Sequence, residues 1–122
     1  MAWEVEYTDE FEEWNSLGEP EQASVGTAVE VLAEMGPALS FPRSSRITTS
    51  RHAAMRELRI QHHGRPYRVL YAFDARRAAL LILGGDKTGN DRWYEQNVPL
   101  ADVIYDRYLQ QRKQEQDNAK NT

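Results

Sequence analysis

Residues 55–87 read MRELRIQHHGRPYRVLYAFDARRAALLILGGDK and determine the fold, because they encode three consecutive strands. The run Met55–Gln61 alternates between apolar and charged side chains, and the run Tyr67–Phe73 alternates between large apolar residues and a mixed set. Gly64 supplies the conformational freedom that a tight reversal between them requires. The third run, Ala78–Leu83, is continuously apolar, as is typical of a central strand covered on both faces. The stretch predicts an antiparallel meander.

The period of two also predicts which residues share a face. In the first strand, Glu57 and Arg59 lie opposite Leu58 and Ile60. In the second strand, Arg68 lies on the side away from the aromatic residues. We therefore expect the arginines to project from the face of the sheet that the core does not need.

Composition limits the class of protein. The chain has 122 residues, enough for one domain with a sizeable core, and we expect that domain to span residues 1–112, with a polar, disordered tail at 113–122. The absence of cysteine excludes a disulfide framework and a thiolate nucleophile, and no metal-ligand spacing occurs. No run approaches the roughly 20 apolar residues that a membrane span needs, so a cytoplasmic protein is expected.

Charge is distributed unevenly along the chain. The net charge is −4, but residues 1–40 hold ten acidic residues and neither Lys nor Arg. Residues 41–77 hold nine arginines against Glu57 and Asp74, a net charge of +7. Because charges are screened beyond about 8 Å at physiological salt, a local basic surface can bind phosphate despite an acidic total.

The flanking segments predict a layer of helices on the meander. Ala2–Tyr7 alternates like a half-buried strand, Glu10–Leu17 predicts a short helix, and a second helix runs from Pro20 to Met35. Residues 37–54 predict an irregular basic loop, and Pro99 is expected to open the last helix.

Several phrases of the sequence, MRELR, YRVLYAFD, AALLILGGDKTG and WYEQNVPLAD, resemble the RelE/HigB superfamily of bacterial toxins, in particular its phage-derived HigB-like branch. The resemblance covers roughly residues 2–112. It implies an α+β fold, with a small antiparallel sheet in the order β-α-α-β-β-β-α and an N-terminal helical hairpin packed on one face. It also implies cleavage of messenger RNA, commonly on the ribosome, without a cofactor or a metal, and inhibition by a cognate antitoxin with a helix-turn-helix DNA-binding domain.

The resemblance assigns catalytic positions to Arg68, Lys87, Glu57 and Arg59. Arg68 matches the sheet arginine that contacts the scissile phosphate, and Lys87 matches the basic residue after the last strand. The best-known branch has two lysines on the first of these strands, where this chain has Met55 and Glu57. We further predict a substrate-binding set: Arg56, Arg65, Tyr94, Trp93, Arg92, His62 and His63.

Metal-free RNA cleavage by attack of the 2′-oxygen needs a base, cations for the phosphorane charge, and an acid for the leaving oxygen. Of these three roles, arginine can fill only the stabilisation of the phosphorane charge, because it does not release its proton near neutral pH. Two candidates for the base remain. Glu57 is one, and its alternative role is an ion pair with Arg59 or Arg68. The two histidines are the other, and they can equally be hairpin residues without a catalytic role. Lys87 is a phosphate clamp or the acid.

The sequence therefore predicts a metal-independent messenger-RNA endonuclease of a type II toxin–antitoxin system. A ParE-like inhibitor of DNA gyrase and a non-catalytic RNA- or protein-binding module are alternatives, since both use this fold. Trp93 and Tyr94 are predicted to stack on a base, although for Trp93 we prefer a packing role at the sheet edge.

Overall fold

The computed structural model describes residues 2–120 and contains a five-stranded sheet between two layers of helices. The strands come in the spatial order β1-β5-β4-β3-β2. The elements are β1 (Glu4–Tyr7), α1 (Asp9–Trp14), α2 (Glu19–Met35), a 3₁₀ turn (Gly36–Ala38), β2 (Ser44–Arg46), β3 (Arg56–His62), β4 (Arg65–Phe73), β5 (Ala78–Asp86) and α3 (Trp93–Lys120).

The α+β fold and the central meander β3-β4-β5 are confirmed. The prediction that all strands are antiparallel is wrong for β1. Strand β1 pairs with β5 in parallel, because α1 and α2 carry the chain across the sheet before the meander begins. A further edge strand, β2, lies inside the segment predicted to be an irregular loop and pairs with β3. Its three residues, SSR, carry no hydrophobic alternation from which it could have been recognised.

Helices α1 and α2 cover the apolar face of the sheet, as predicted. Leu58 and Val69, which face each other across β3 and β4, pack there against Val25 and Leu32 of α2 and Phe11 of α1. Thr8 caps α1 by accepting a hydrogen bond from the backbone N–H of Phe11 at 3.0 Å. One half of the core therefore lies between the N-terminal helices and the sheet.

The second face of the sheet is also covered. The expectation that the core does not need this face is therefore wrong. Helix α3 packs over Met55, Leu70 and Leu80 and forms a second core with Ala101 and Ile104. The helix begins at Trp93, six residues before the predicted start at Pro99. Proline is common in the first turn of a helix, but Pro99 lies further along α3, on its exposed side.

The far end of α3 continues through Lys120, into the segment 113–122 for which the sequence predicts a disordered tail. Residues 121 and 122 of that segment lie outside the described residues. Residues 113–120 are all exposed. This stretch thus lacks the burial that stabilises most protein helices. No helix within residues 2–120 has the length and apolar character needed to cross a membrane.

The loop before β3 fastens α3 to the sheet. Ser50 donates a hydrogen bond to Oδ1 of the buried Asp102 at 2.5 Å, and the backbone N–H of Arg51 donates to Oδ2 at 3.3 Å. One turn further on, His52 Nε2 lies 2.7 Å from Asp106 Oδ1. These contacts hold α3 across the arginine-bearing face.

Two adjacent glycines in β5 let an indole ring lie close against the backbone on each face of the sheet. A Cβ on Gly84 would overlap with the ring of Trp14, and a Cβ on Gly85 would overlap with the ring of Trp93. Because successive residues of a strand face opposite sides, this glycine pair positions α1 on one face and the start of α3 on the other.

We expect Gly85→Ala to lower the free energy of unfolding by about 1–3 kcal/mol, because Trp93 is buried and its rigid ring has nowhere to move. Urea unfolding measures the change. The control is Gly26→Ala in α2, whose Cβ would meet nothing within 4 Å; it should stabilise the protein by about 0.5–1 kcal/mol. A Gly85→Ala variant as stable as the parent would contradict the packing described.

Candidate active site

Five of the predicted residues meet where β3 and β4 pass under the first turn of α3. The register pairs Arg59 with Arg68 and Arg68 with Gly85, which places both arginines on the face covered by α3. Glu57 lies on the same face two residues before Arg59. Tyr94 reaches them from α3, and Lys87 follows the end of β5. Strand alternation thus predicted the common face of Glu57, Arg59 and Arg68, whereas Tyr94 and Lys87 were expected from the family resemblance.

Three side chains form the centre, which we call the Glu57 cluster: Glu57, Arg68 and Tyr94. The Tyr94 hydroxyl donates a hydrogen bond to Glu57 Oε1 at 2.6 Å and accepts one from Arg68 Nε at 3.1 Å. Arg68 Nε also lies 3.2 Å from Glu57 Oε1. The proton of Tyr94 is therefore directed at the carboxylate, and the arginine is directed at both.

Ser45 supports the cluster from the edge strand β2. Its hydroxyl donates a hydrogen bond to Glu57 Oε2 at 2.7 Å, so both carboxylate oxygens have a donor. Sequence reasoning missed Ser45 because the strand that presents it was not predicted. The pairing of Ser45 with Glu57 in the β2–β3 register is what brings the two side chains together.

Arg68 and Glu57 are almost fully buried, with exposed fractions of 5% and 6%. The expectation that Arg68 projects from an open face is therefore wrong, since the first turn of α3 covers it. Arg68 Nη1 donates a further hydrogen bond to the carbonyl of Tyr67 at 2.9 Å. Removing one partner of a buried ion pair leaves the other charge uncompensated. In this arrangement Arg68 fixes Glu57 and Tyr94 in place.

Two partly exposed cations flank the cluster. Arg59 Nη1 lies 3.8 Å from Glu57 Oε2, and its guanidinium also lies 5.4 Å from the centre of the Phe41 ring. Lys87 Nζ lies 5.6 Å from the centre of the Tyr94 ring. Positive charge is thus available beside Glu57 and beside Tyr94, where an anion from solvent would arrive.

Burial raises the pKa of Tyr94 above its usual range, and the hydrogen bond to Glu57 raises that pKa further. Arg68 acts in the opposite direction, but less strongly. The phenol is therefore protonated at neutral pH, and it can pass a proton to Glu57 only if it receives another one.

The other predicted site residues lie outside the cluster. Trp93 is buried against Gly85, the packing role preferred for it. His62 is buried on the opposite face, with Nδ1 at 2.6 Å from the hydroxyl of Ser24. The remaining four residues are not grouped in one place. His63 and Arg65 lie at the exposed end of the β3–β4 hairpin, and Arg56 lies on the side of β3 that faces Ser44. Arg92 forms an exposed ion pair with Glu95. Among residues 2–120, no three His, Asp or Glu side chains are grouped to hold a metal ion.

Comparison with known proteins gives consistent matches. The model of the family described as "Phage derived protein Gp49-like (DUF891)" matches residues 12–106. The putative toxin HigB3 of Mycobacterium tuberculosis is 41% identical over 95 residues, which is 77% of this chain and 82% of HigB3. The putative toxin HigB2 of the same organism is 38% identical over 99 residues, 80% of this chain. The match spans 49% of HigB2, about half of its length.

Two solved structures share the fold at low sequence identity. The toxin–antitoxin complex RelBE2 from M. tuberculosis contains a chain that superposes with a TM-score of 0.50 at 12% identity, covering 70% of this chain and 99% of that chain. A mutant of the E. coli toxin RelE in the free state superposes with a TM-score of 0.52 at 14% identity, covering 78% of this chain and 94% of that chain. At these identities the likeness concerns the fold alone.

The buried pair predicts strong coupling between Glu57 and Arg68. We expect Glu57→Ala or Arg68→Ala alone to cost about 3–5 kcal/mol of unfolding free energy, because each leaves a buried charge without its partner. The double variant should cost less than the two single variants together, by about 0.5–3 kcal/mol. Urea unfolding of the four proteins measures this.

The exposed pair Arg92–Glu95, with Nε and Oε2 at 3.0 Å, provides the control. The same cycle of alanine variants there should give a coupling of at most about 1 kcal/mol. Equal coupling at the two pairs would contradict the burial of the Glu57 cluster.

The environment of Tyr94 predicts its ionisation. The alkaline absorbance titration of the parent minus that of Tyr94→Phe should show a tyrosine whose pKa lies above the usual value of 10.0. In a Glu57→Gln background, the pKa of Tyr94 should fall, because the negative charge that opposes a phenolate has been removed. A pKa of Tyr94 that does not respond to Glu57→Gln would exclude the hydrogen bond between them.

Proposed function

We propose that this chain, which belongs to the phage-derived Gp49-like family of HigB/RelE-type toxins, cleaves messenger RNA at the Glu57 cluster. The proposal rests on one observation above all. A buried carboxylate, Glu57, accepts a hydrogen bond from the hydroxyl of Tyr94, and Arg68 contacts both groups. A second arginine lies beside the carboxylate, and a lysine lies beside the tyrosine ring. Such a set contains a proton acceptor, a relay and cations, which transesterification of RNA requires.

The proposed reaction begins at a 2′-hydroxyl placed against Tyr94. The 2′-proton moves to the phenol oxygen while the phenol proton moves to Glu57 Oε1, so that the phenol is neutral before and after. The O2′–P bond forms, the P–O5′ bond breaks, and Lys87 gives a proton to the departing O5′. The products are a 2′,3′-cyclic phosphate and a 5′-hydroxyl.

The two arginines take different roles in this proposal. Arg59 is partly exposed, so it can stabilise the charge on the phosphorane directly. Arg68 is buried beneath Tyr94, so we assign it the role of a positioning residue that holds the phenol and the carboxylate in line. Direct contact of Arg68 with the phosphate would require the first turn of α3 to move away.

The partners follow from the family. HigB3 and HigB2 bear the name of toxins, and RelBE2 is a toxin–antitoxin complex. We propose a cognate antitoxin for this chain as well, one that carries a helix-turn-helix domain. The ribosome is proposed as the site of cleavage, because the few catalytic groups here would benefit from a substrate that is already aligned.

Expression in a bacterial host without antitoxin, followed by mapping of RNA 5′ ends, tests the proposal. We expect the parent to arrest growth and to generate new 5′-hydroxyl ends within messages. Tyr94→Phe and Glu57→Gln should lower the cleavage rate by about 10²–10⁴, because each interrupts the proton relay. Lys87→Met should lower it by about 10²–10³.

Matched controls separate chemistry from general damage. Tyr7→Phe changes a tyrosine whose side chain is exposed on β1, and Lys113→Met removes an exposed lysine from the end of α3. Both should cleave like the parent. Intact messages with broken chromosomal DNA would instead identify a gyrase inhibitor, and the absence of growth arrest would identify a non-catalytic module.

A further inference from the structure

Phe41 is the most exposed large apolar side chain within residues 2–120, with an exposed fraction of 70%. It precedes the edge strand β2, and the proposed reaction gives it no role. A single exposed apolar residue is ordinary on a protein surface. The surroundings of this ring are what distinguish it.

One arginine lies against the ring of Phe41, and two more follow the ring closely in sequence. The Arg59 guanidinium lies 5.4 Å from the ring centre, and Arg43 and Arg46 are exposed nearby in sequence. The backbone N–H of Arg59 donates to the carbonyl of Arg43 at 2.8 Å, which joins this segment to β3. Residues 37–56 contain no Asp or Glu. An exposed aromatic ring in a basic segment that lacks acidic residues is typical of surfaces that bind single-stranded nucleic acid, with bases stacked on the ring.

Arg59 connects this ring to the Glu57 cluster. Its Nη1 lies 3.8 Å from Glu57 Oε2 while the guanidinium faces Phe41. A phosphate bound at Arg59 therefore has the proposed reaction centre on one side and an exposed ring on the other. A base attached to the neighbouring nucleotide can reach that ring without crossing the covered part of the sheet.

We propose that Phe41 and Arg59 form a stacking subsite for a nucleobase next to the cleaved phosphate of single-stranded RNA. The inference rests on the proposed function and adds to it a contact on the β2 side of the cluster. The absence of acidic residues from this segment favours RNA over a protein partner, whose own backbone carries no regular negative charge.

The test is the binding of the purified full chain to a short, fluorescently labelled single strand of 2′-O-methyl RNA, which cannot be cleaved because it lacks the nucleophile. Phe41→Leu should weaken binding about 5- to 150-fold, the equivalent of about 1–3 kcal/mol of base stacking. Phe41→Trp should keep the affinity of the parent. The salt dependence of binding should be the same for Phe41→Leu and the parent, because no charge has changed.

The control is Leu100→Ala, which truncates an apolar side chain with an exposed fraction of 56% on α3 and should leave RNA affinity unchanged. If Phe41→Leu binds the RNA as tightly as the parent, or if the parent does not bind it, the subsite is wrong. If Phe41→Leu weakens only antitoxin binding, the ring is a protein contact and the subsite is likewise wrong. Message cleavage by the parent is scored separately, so failure of the subsite is distinguishable from failure of the nuclease proposal.

Discussion

A carboxylate and a guanidinium buried together under one tyrosine constrain the rest of this structure. Glu57 and Arg68 can leave water only because each finds its counter-charge and its hydrogen-bond partners in the same place. The observed register of β3 against β4 brings the two side chains together on one face, and β2 supplies a further donor. The early start of α3 at Trp93 brings Tyr94 over the pair. The buried pair of Glu57 and Arg68 and the arrangement of strands and α3 around it therefore depend on each other.

The same constraint explains why the site is narrow. A sheet with one bare face would offer several arginines to a ligand, but here α3 covers most of that face with a second apolar core. What remains accessible is the rim, where Arg59 and Lys87 stand beside groups that are themselves enclosed. Low local polarity strengthens electrostatic interactions at such a rim. Chemistry there can depend on few groups if those groups are held rigidly.

Much of this could be predicted from the sequence, and the parts that could not share a physical cause. The alternation in β3 and β4 correctly placed Glu57, Arg59 and Arg68 on one face, because side-chain direction in a strand follows from position alone. The burial of Arg68 depends instead on where α3 begins, and there Trp93 packs against Gly85 in the sheet, a tertiary contact that no local pattern encodes. Pro99 pointed to a later start because local preference favours it there. Ser45 was missed for a similar reason: three polar residues form a strand only because β3 offers them a partner.

The glycine pair in β5 has a consequence for how the sequence can vary in length. Gly84 receives Trp14 from one side of the sheet and Gly85 receives Trp93 from the other. Insertion or deletion of a single residue between the register shift opposite Leu70 and Tyr71 and this pair would exchange the faces that the two glycines present. Both indoles would then meet side chains instead of bare backbone, and both helical layers would be displaced at once. Homologues that keep the two tryptophans should therefore show no gaps next to this glycine pair, even where the surrounding loops differ in length.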